Sequence, residues 1–182
     1  MRACLSLALA LLVGCATLKP RPADPGLFLL PPSDAGVEIS LSQSLAFSKG
    51  ARHFEALAVI ELDSSHLSLV GLGPLGNRML ALRWDGKKLE QESDPSLPPD
   101  LPLKLILRDI QLAYWPAEAL RKRLAPEGWQ IEEGALSRTL LKDGAQVVRI
   151  IYGGADRWRS ALSFEHRSLG YHLDIHPIKE EE

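Results

Sequence analysis

The sequence VEISLSQSLAFS at residues 37–48 decides the fold, because apolar and polar residues alternate along it. The residues of one parity are apolar except Gln43, and those of the other parity are mostly serine. A period of two predicts a strand with one buried and one solvent-exposed face. Lys49 and Gly50 predict a turn, after which residues 54–63 predict a second strand that is apolar on both faces at its centre.

Similar runs, separated by turn residues, continue on both sides of a proline-rich loop at residues 93–102. They predict strands at 66–72, 78–84, 87–92, 129–132, 137–141, 146–152, 157–166 and 169–178. Asp85-Gly86 and Asp143-Gly144 are hairpin turn signals. Hairpin spacing between about nine or ten strands predicts an antiparallel sheet.

Two helices interrupt the strands. Apolar residues recur at helical spacing from Leu103 to Tyr114, and Pro116 suits the first turn of a second helix at Ala117–Leu124. A sheet of this size must curl because strand twist accumulates, and two helices can cover one of its faces. We therefore expect a mainly β fold with inserted α: a curved antiparallel half-barrel with a short helical lid.

Composition limits the classes of function. The chain has 182 residues, room for one domain plus a tail. Its net charge of −2 and pI near 6.2 argue against nucleic-acid binding, which favours a basic face. Two cysteines are too few for a disulfide scaffold or a four-cysteine zinc site.

The N-terminus is typical of a lipoprotein signal peptide at residues 1–14. Met1 and Arg2 precede an apolar run at residues 5–13 that is too short to span a bilayer, which takes about 20 residues. Leu12-Val13-Gly14-Cys15 resembles a bacterial lipobox, in which Cys15 receives S-diacylglycerol and an N-acyl chain. The alternative is an ordinary signal peptide cleaved elsewhere. Ala16, rather than Asp, after the cysteine predicts a lipid anchor in the outer membrane, on its periplasmic face.

The remaining chain divides into three parts. Residues 15–36 carry the lipidated cysteine and five prolines, and predict a tether that could reach roughly 60 Å over about 20 residues. The apolar LFLL at residues 27–30 is suited to docking on the domain. The domain itself is predicted at residues 37–178, and residues 179–182 form an acidic tail.

Catalytic patterns are weak, so the sequence predicts no enzyme, metal site or cofactor apart from the lipid on Cys15. His172, Asp174 and His176 share one strand face at about 7 Å spacing, too far apart to share one zinc. Asp63, Ser64, Ser65 and His66 contain the residue types of a hydrolase triad, but they are neighbours in a turn. No nucleophile elbow, phosphate loop or dinucleotide motif occurs.

The sequence LGPLGNRMLALRWDG at residues 72–86 resembles the Pro-Leu-Gly loop and following strand of the LolA/LolB-like lipoprotein carriers. The chain as a whole looks like an uncharacterised lipoprotein family whose members accompany aryl polyene biosynthesis genes. The resemblance covers most of residues 37–178. It implies an unclosed half-barrel with a helical lid over a hydrophobic cavity, and a membrane-insertion loop carrying Leu75.

These expectations combine into a hypothesis. The protein binds an acyl chain, a lipidated protein or an aryl polyene lipid and delivers it to the outer membrane, with a periplasmic carrier protein as a possible partner. The alternative is a structural or assembly lipoprotein that acts through protein contacts. Parity does not separate cavity-lining residues from packed core; the candidates are Val59, Leu80, Leu82, Trp84, Ile106, Ile110, Ile151, Phe164 and Leu173.

Overall fold

A computed structural model of the protein describes residues 23–97 and 103–178. The predicted signal peptide, the lipidated Cys15 and the acidic tail lie outside the described residues. The part of the chain that is described forms one ten-stranded sheet, two α-helices and two short 3-10 helices.

Every neighbouring pair of strands is antiparallel, in the order β5-β4-β3-β2-β1-β10-β9-β8-β7-β6. Two meanders, one from each end of the chain, therefore join where β1 pairs with β10. The two outermost strands, β5 and β6, do not pair, so the half-barrel stays open and confirms the predicted fold class. The bounds are β1 (Ile39–Lys49), β2 (Arg52–Leu62), β3 (Leu67–Leu72), β4 (Arg78–Trp84), β5 (Leu89–Ser93), β6 (Trp129–Gly134), β7 (Ser137–Lys142), β8 (Ala145–Tyr152), β9 (Leu162–His166) and β10 (Tyr171–Pro177).

The two helices lie between β5 and β6 in the sequence, as predicted: α1 (Leu103–Tyr114) and α2 (Ala117–Leu124). Buried side chains of the sheet hold the C-terminal end of α1. Arg138 donates to the Leu112 carbonyl at 2.6 Å, and the Tyr152 hydroxyl donates to the Ala113 carbonyl at 2.6 Å. These bonds satisfy carbonyls that a helix end leaves without partners, so they fix α1 against one face of the sheet.

The strand predicted at 157–166 begins later, at Leu162. Residues 153–160 form a series of bends instead. The Asp156 carboxylate accepts the backbone N–H groups of Trp158 and Arg159 at 3.1 and 3.2 Å, which turns the chain back on itself. Side-chain acceptors of this kind compete with strand pairing, and hydrophobic alternation does not reveal them.

The proline-rich segment is not a free tether over its described part. Residues 23–36, which we call the N-terminal segment, pack against the domain and bury Phe28, Leu30 and Ala35. The docking suggested by LFLL is thus correct for Phe28 and Leu30, whereas Leu27 stays exposed. A short 3-10 helix, Pro32–Ala35, ends the segment before β1.

Candidate functional site

The pairing register separates the two faces of the sheet. Residues directly opposite in an antiparallel ladder share a face, and the face that carries Arg138 and Tyr152 is the one that α1 covers. We call it the covered face. Phe54, Phe47, Leu173 and Phe164 form one row across it, because each is directly opposite the next in the register.

Five of the predicted strand residues lie on the covered face. Three of them, Leu80, Leu82 and Trp84, alternate along β4 and oppose covered-face residues of β3. Phe164 and Leu173 oppose each other on β9 and β10. Two others lie on α1: Ile110 is in the buried core and Ile106 packs partly buried against it.

Val59 and Ile151 lie on the opposite face of the sheet, so the structure does not bring them together with the other candidates. Val59 opposes Val70, whereas its neighbours Ala58 and Ile60 take the buried positions. Ile151 opposes Ser163 and is 39% exposed. Both strands carry apolar residues on both faces at these points, so parity alone did not assign the inner face.

Much of the covered face is packed rather than hollow. Leu82 and Phe164 are each 1% exposed, and Ile110 belongs to the same buried cluster. The N-terminal segment adds to this packing, because the Trp84 indole donates to the Leu30 carbonyl at 2.8 Å. These positions are core, which differs from the cavity lining expected from the sequence.

Gln111 of α1 ties the N-terminal segment to the helix. Its side-chain oxygen accepts the Leu30 N–H at 2.7 Å, and its nitrogen donates to the Leu30 carbonyl at 2.9 Å. Gln111 is fully buried, so both bonds are made away from water. The pair resembles one rung of a sheet, and sequence patterning gave no sign of it.

A second, charged contact holds the start of the segment. The buried Arg108 of α1 forms ion pairs with Asp24 and with Asp109. Burial by itself would raise the pKa of the Asp24 carboxyl, but His166 and Arg108 outweigh it and hold that pKa below its usual value. Burial raises the pKa of the Asp109 carboxyl, although Arg108 and the Tyr171 hydroxyl favour its charged form. This cluster fixes where the chain enters the domain.

The covered face is less protected near the turn between β1 and β2. Phe54 is 46% exposed, and Phe47 and Leu173 are half-buried. We call these three residues the open row. Leu45 lies beside them on the same face and is also half-buried. An apolar surface of this kind can take an apolar ligand, and sequence reasoning identified only Leu173 as part of it.

Leu75 lies at the tip of the loop between β3 and β4 and is 94% exposed. The loop is closed by two backbone bonds at 2.9 Å, from Gly73 to Asn77 and from Gly76 to Gly73. Gly76 has a φ of 76°, which glycine adopts without strain. Leu75 therefore does not fold back into the core.

Asp63, Ser65 and His66 do meet, at the other end of the sheet. The Ser65 hydroxyl donates to Asp63 at 2.7 Å and lies 3.0 Å from His66 Nδ1, and the same Nδ1 lies 3.0 Å from Asp63. A triad needs the two ring nitrogens for two different partners, so this cluster is a hydrogen-bonded turn. It borders a shallow open depression of about 360 Å³ whose other polar walls include Glu38 and Glu61.

Within residues 23–97 and 103–178, no group of three or more ligand-type side chains is placed to hold a metal ion. None of the described helices is both long and apolar enough to cross a membrane.

Comparison with family models identifies a family for this chain. A family model described as "Protein of unknown function (DUF3261)" matches residues 40–179, which is well over half of the chain. The matched region runs from the second residue of β1 to beyond the end of β10. No curated protein matches the chain.

Proposed function

The chain belongs to the DUF3261 family, and we propose that it is a lipid-anchored outer-membrane protein that binds a hydrophobic ligand and delivers it to that membrane. The ligand is an acyl chain, a lipidated protein or an aryl polyene lipid. The anchor is the lipid on Cys15, and a periplasmic carrier protein is the proposed source of the ligand. No catalytic step is part of this function.

The observation that carries the proposal is the open row. Its three apolar side chains lie side by side on the covered face and keep part of their surface in water. Burying apolar surface stabilises a complex by about 25 cal/mol per Å², so an acyl chain laid on this row gains free energy. The filled centre of the covered face limits the ligand to this end of the sheet.

Leu75 supplies a second apolar element for the same function. An exposed Leu side chain gains roughly 1.5–3 kcal/mol on entering an apolar phase. That gain is too small to anchor a protein but large enough to favour one orientation at a bilayer. We propose that the loop enters the membrane while ligand leaves the open row.

Dye binding tests the ligand site. The chain from Ala16 onward should bind an environment-sensitive hydrophobic dye, and palmitate should displace it. Phe54→Gln should weaken binding several-fold because it places a polar group in the row. Ile151→Gln is the matched control, since Ile151 is similarly exposed but lies on the opposite face. Absence of saturable dye binding, or equal loss in both variants, would contradict the site.

A second candidate function, a structural or assembly lipoprotein, is favoured by the packed centre of the covered face. Leu82 and Phe164 leave no water-exposed surface of consequence there. Native mass spectrometry of protein extracted from membranes separates the two functions. A co-purified lipid supports the carrier, whereas a stoichiometric protein partner without lipid supports the structural role.

A further inference from the structure

The N-terminal segment enters the domain at one particular end of the sheet. The Ser168 hydroxyl, in the turn between β9 and β10, donates to the Ala23 carbonyl. His166, at the end of β9, lies 3.5 Å from the Asp24 carboxylate. The chain that leads back to Cys15 therefore leaves the domain beside this turn.

The turn between β1 and β2 is at the same end. Ser48 of β1 opposes His172 of β10, next to the β9–β10 turn. Leu72 of β3 opposes Leu57 of β2, so the loop that carries Leu75 follows β3 towards this end as well. We call it the anchor end. The turn at 63–66 and the turn at 85–88 lie at the opposite end.

The reach of the chain decides which end can meet the membrane. Seven residues lie between Cys15 and Ala23, and the eight steps that join the two, at 3.3–3.6 Å each, span at most about 29 Å. The 11 residues of β1 run from one end of the sheet to the other, about 35 Å at 3.4 Å per residue. A lipid on Cys15 therefore reaches the anchor end and falls short of the opposite end.

The tip of the β1–β2 hairpin has an arrangement that the fold alone does not favour. Lys49 and Arg52 are directly opposite in the register, and like charges in that position destabilise a hairpin. Neither has an ion-pair partner among the described residues, whereas Arg78 and Arg167 at the same end are paired with Glu92 and Glu165. The nearest acid along β2, Glu55, is on the other face.

We infer that the hairpin tip formed by Lys49, Arg52 and Phe54 is a membrane-contact site for anionic phospholipid headgroups. The two cations lie at the headgroup level, which offsets their mutual repulsion, and the exposed Phe54 ring contacts the acyl region. The inference rests on the lipid anchor of the proposed function and deepens it. It also directs the open row towards the bilayer, so that a ligand passes between protein and membrane without crossing water.

Depth measurements on the full lipidated protein test this inference. Ala51→Cys places a fluorophore at the hairpin tip, and Lys87→Cys places one in the β4–β5 turn at the opposite end; both positions are exposed. The protein is reconstituted in vesicles of phosphatidylglycerol and phosphatidylethanolamine that contain a nitroxide-labelled lipid. Quenching at position 51 should exceed that at position 87 several-fold, and should fall in vesicles of phosphatidylcholine.

Charge removal adds a second readout. Each basic residue near an anionic surface contributes about 1 kcal/mol to the free energy of binding that surface. Lys49→Gln with Arg52→Gln should therefore lower the equilibrium constant for contact between the hairpin and the membrane by about 30-fold. Arg83→Gln with Lys87→Gln is the matched control and should leave quenching at position 51 unchanged. Equal quenching at the two ends would overturn the inference, and so would quenching at position 51 that stays the same after Lys49 and Arg52 are replaced. Either outcome would leave the dye-binding result intact. Failure of the protein to stay on the vesicles would overturn the anchor and the inference together.

Discussion

Phe164 and Phe54 lie in the same row of the same face of the sheet, three strands apart. Phe164 is 1% exposed and stacks with Tyr171 at 6.1 Å between ring centroids, whereas Phe54 is 46% exposed. The difference comes from what covers each position. Side-chain bonds join α1 to β7, to β8 and, through Gln43, to the middle of β1, but among the described residues none joins it to the tip of the β1–β2 hairpin at residues 47–54. One apolar face thus supplies a core at one side and, at the other, the partly exposed open row where we propose that ligand binds.

The largest expected effect is a loss of stability, and it tests the difference between Phe164 and Phe54 directly. Phe164→Ala should lower the free energy of unfolding by about 3–5 kcal/mol, because it leaves a cavity in a packed core. Phe54→Ala, the matched control, should change it by about 1 kcal/mol or less, as exposed positions do. Urea denaturation measures both. Similar losses in the two variants would mean that Phe54 is part of the core and that the open row is not open.

The contact between the N-terminal segment and α1 gives an intermediate effect. Gln111→Met keeps the volume but leaves the buried Leu30 N–H without a partner, at a cost of about 1–3 kcal/mol. The Leu30 carbonyl retains the Trp84 indole as a donor. Limited proteolysis should then cut within residues 23–36 before it cuts the sheet.

Gln146→Met is the control for that change. Gln146 is half-buried and makes one long hydrogen bond, 3.4 Å to Thr139. Its replacement should therefore change the free energy of unfolding by no more than about 0.5 kcal/mol. If Gln111→Met leaves the segment as resistant to protease as before, the Arg108 ion pair, the remaining hydrogen bonds such as that from Trp84, and the apolar contacts are enough to hold it. The packing of the N-terminal segment on the covered face would then not depend on the two Gln111 bonds.

The smallest effect concerns the turn at residues 63–66, at the opposite end of the sheet from the anchor end. The Ser65 hydroxyl first, and then the backbone N–H groups of Ser65 and His66, lower the pKa of Asp63 to about 2. Because this folded-state pKa lies below the unfolded value of about 3.9, the stabilisation is present above that value and is lost as the pH falls through about 2. Carboxyl resonances followed by NMR should show this midpoint. Ser65→Ala should raise it, Ser64→Ala should not, and an ordinary midpoint in the unaltered protein would contradict the hydrogen-bonded turn.

Local signals in the sequence were sufficient for most elements. The helix α1 has its predicted bounds because its apolar spacing and the prolines that flank the helical region agree. Strand β9 was predicted too long, because the Asp156 carboxylate accepts the backbone N–H groups of Trp158 and Arg159, which a longer strand would have directed to its neighbours in the sheet. The prediction that Val59 and Ile151 lie on the inner face was wrong. Alternation of apolar and polar residues does not show which face is buried in a strand that is apolar on both faces.

Gln43 shows where a sequence pattern breaks for a tertiary reason. It interrupts the alternation of β1, yet it is fully buried on the covered face and donates to the Tyr114 hydroxyl at 3.0 Å. Burial of Tyr114 raises the pKa of that hydroxyl, so it stays neutral and can accept this bond. A buried polar group needs such a partner, and the partner lies 71 residues away in the sequence.

The sequence by itself determined the number and kind of elements, their antiparallel hairpins and the position of the loop that carries Leu75, because alternation, turn residues and helical spacing act over a few neighbouring residues. Only the tertiary structure decided that β1 pairs with β10, that residues 23–36 pack on α1, and which apolar residues are core or open row. Those outcomes depend on contacts between residues far apart in the chain, and buried partners such as Gln111 and Arg108 leave no periodic pattern in the sequence.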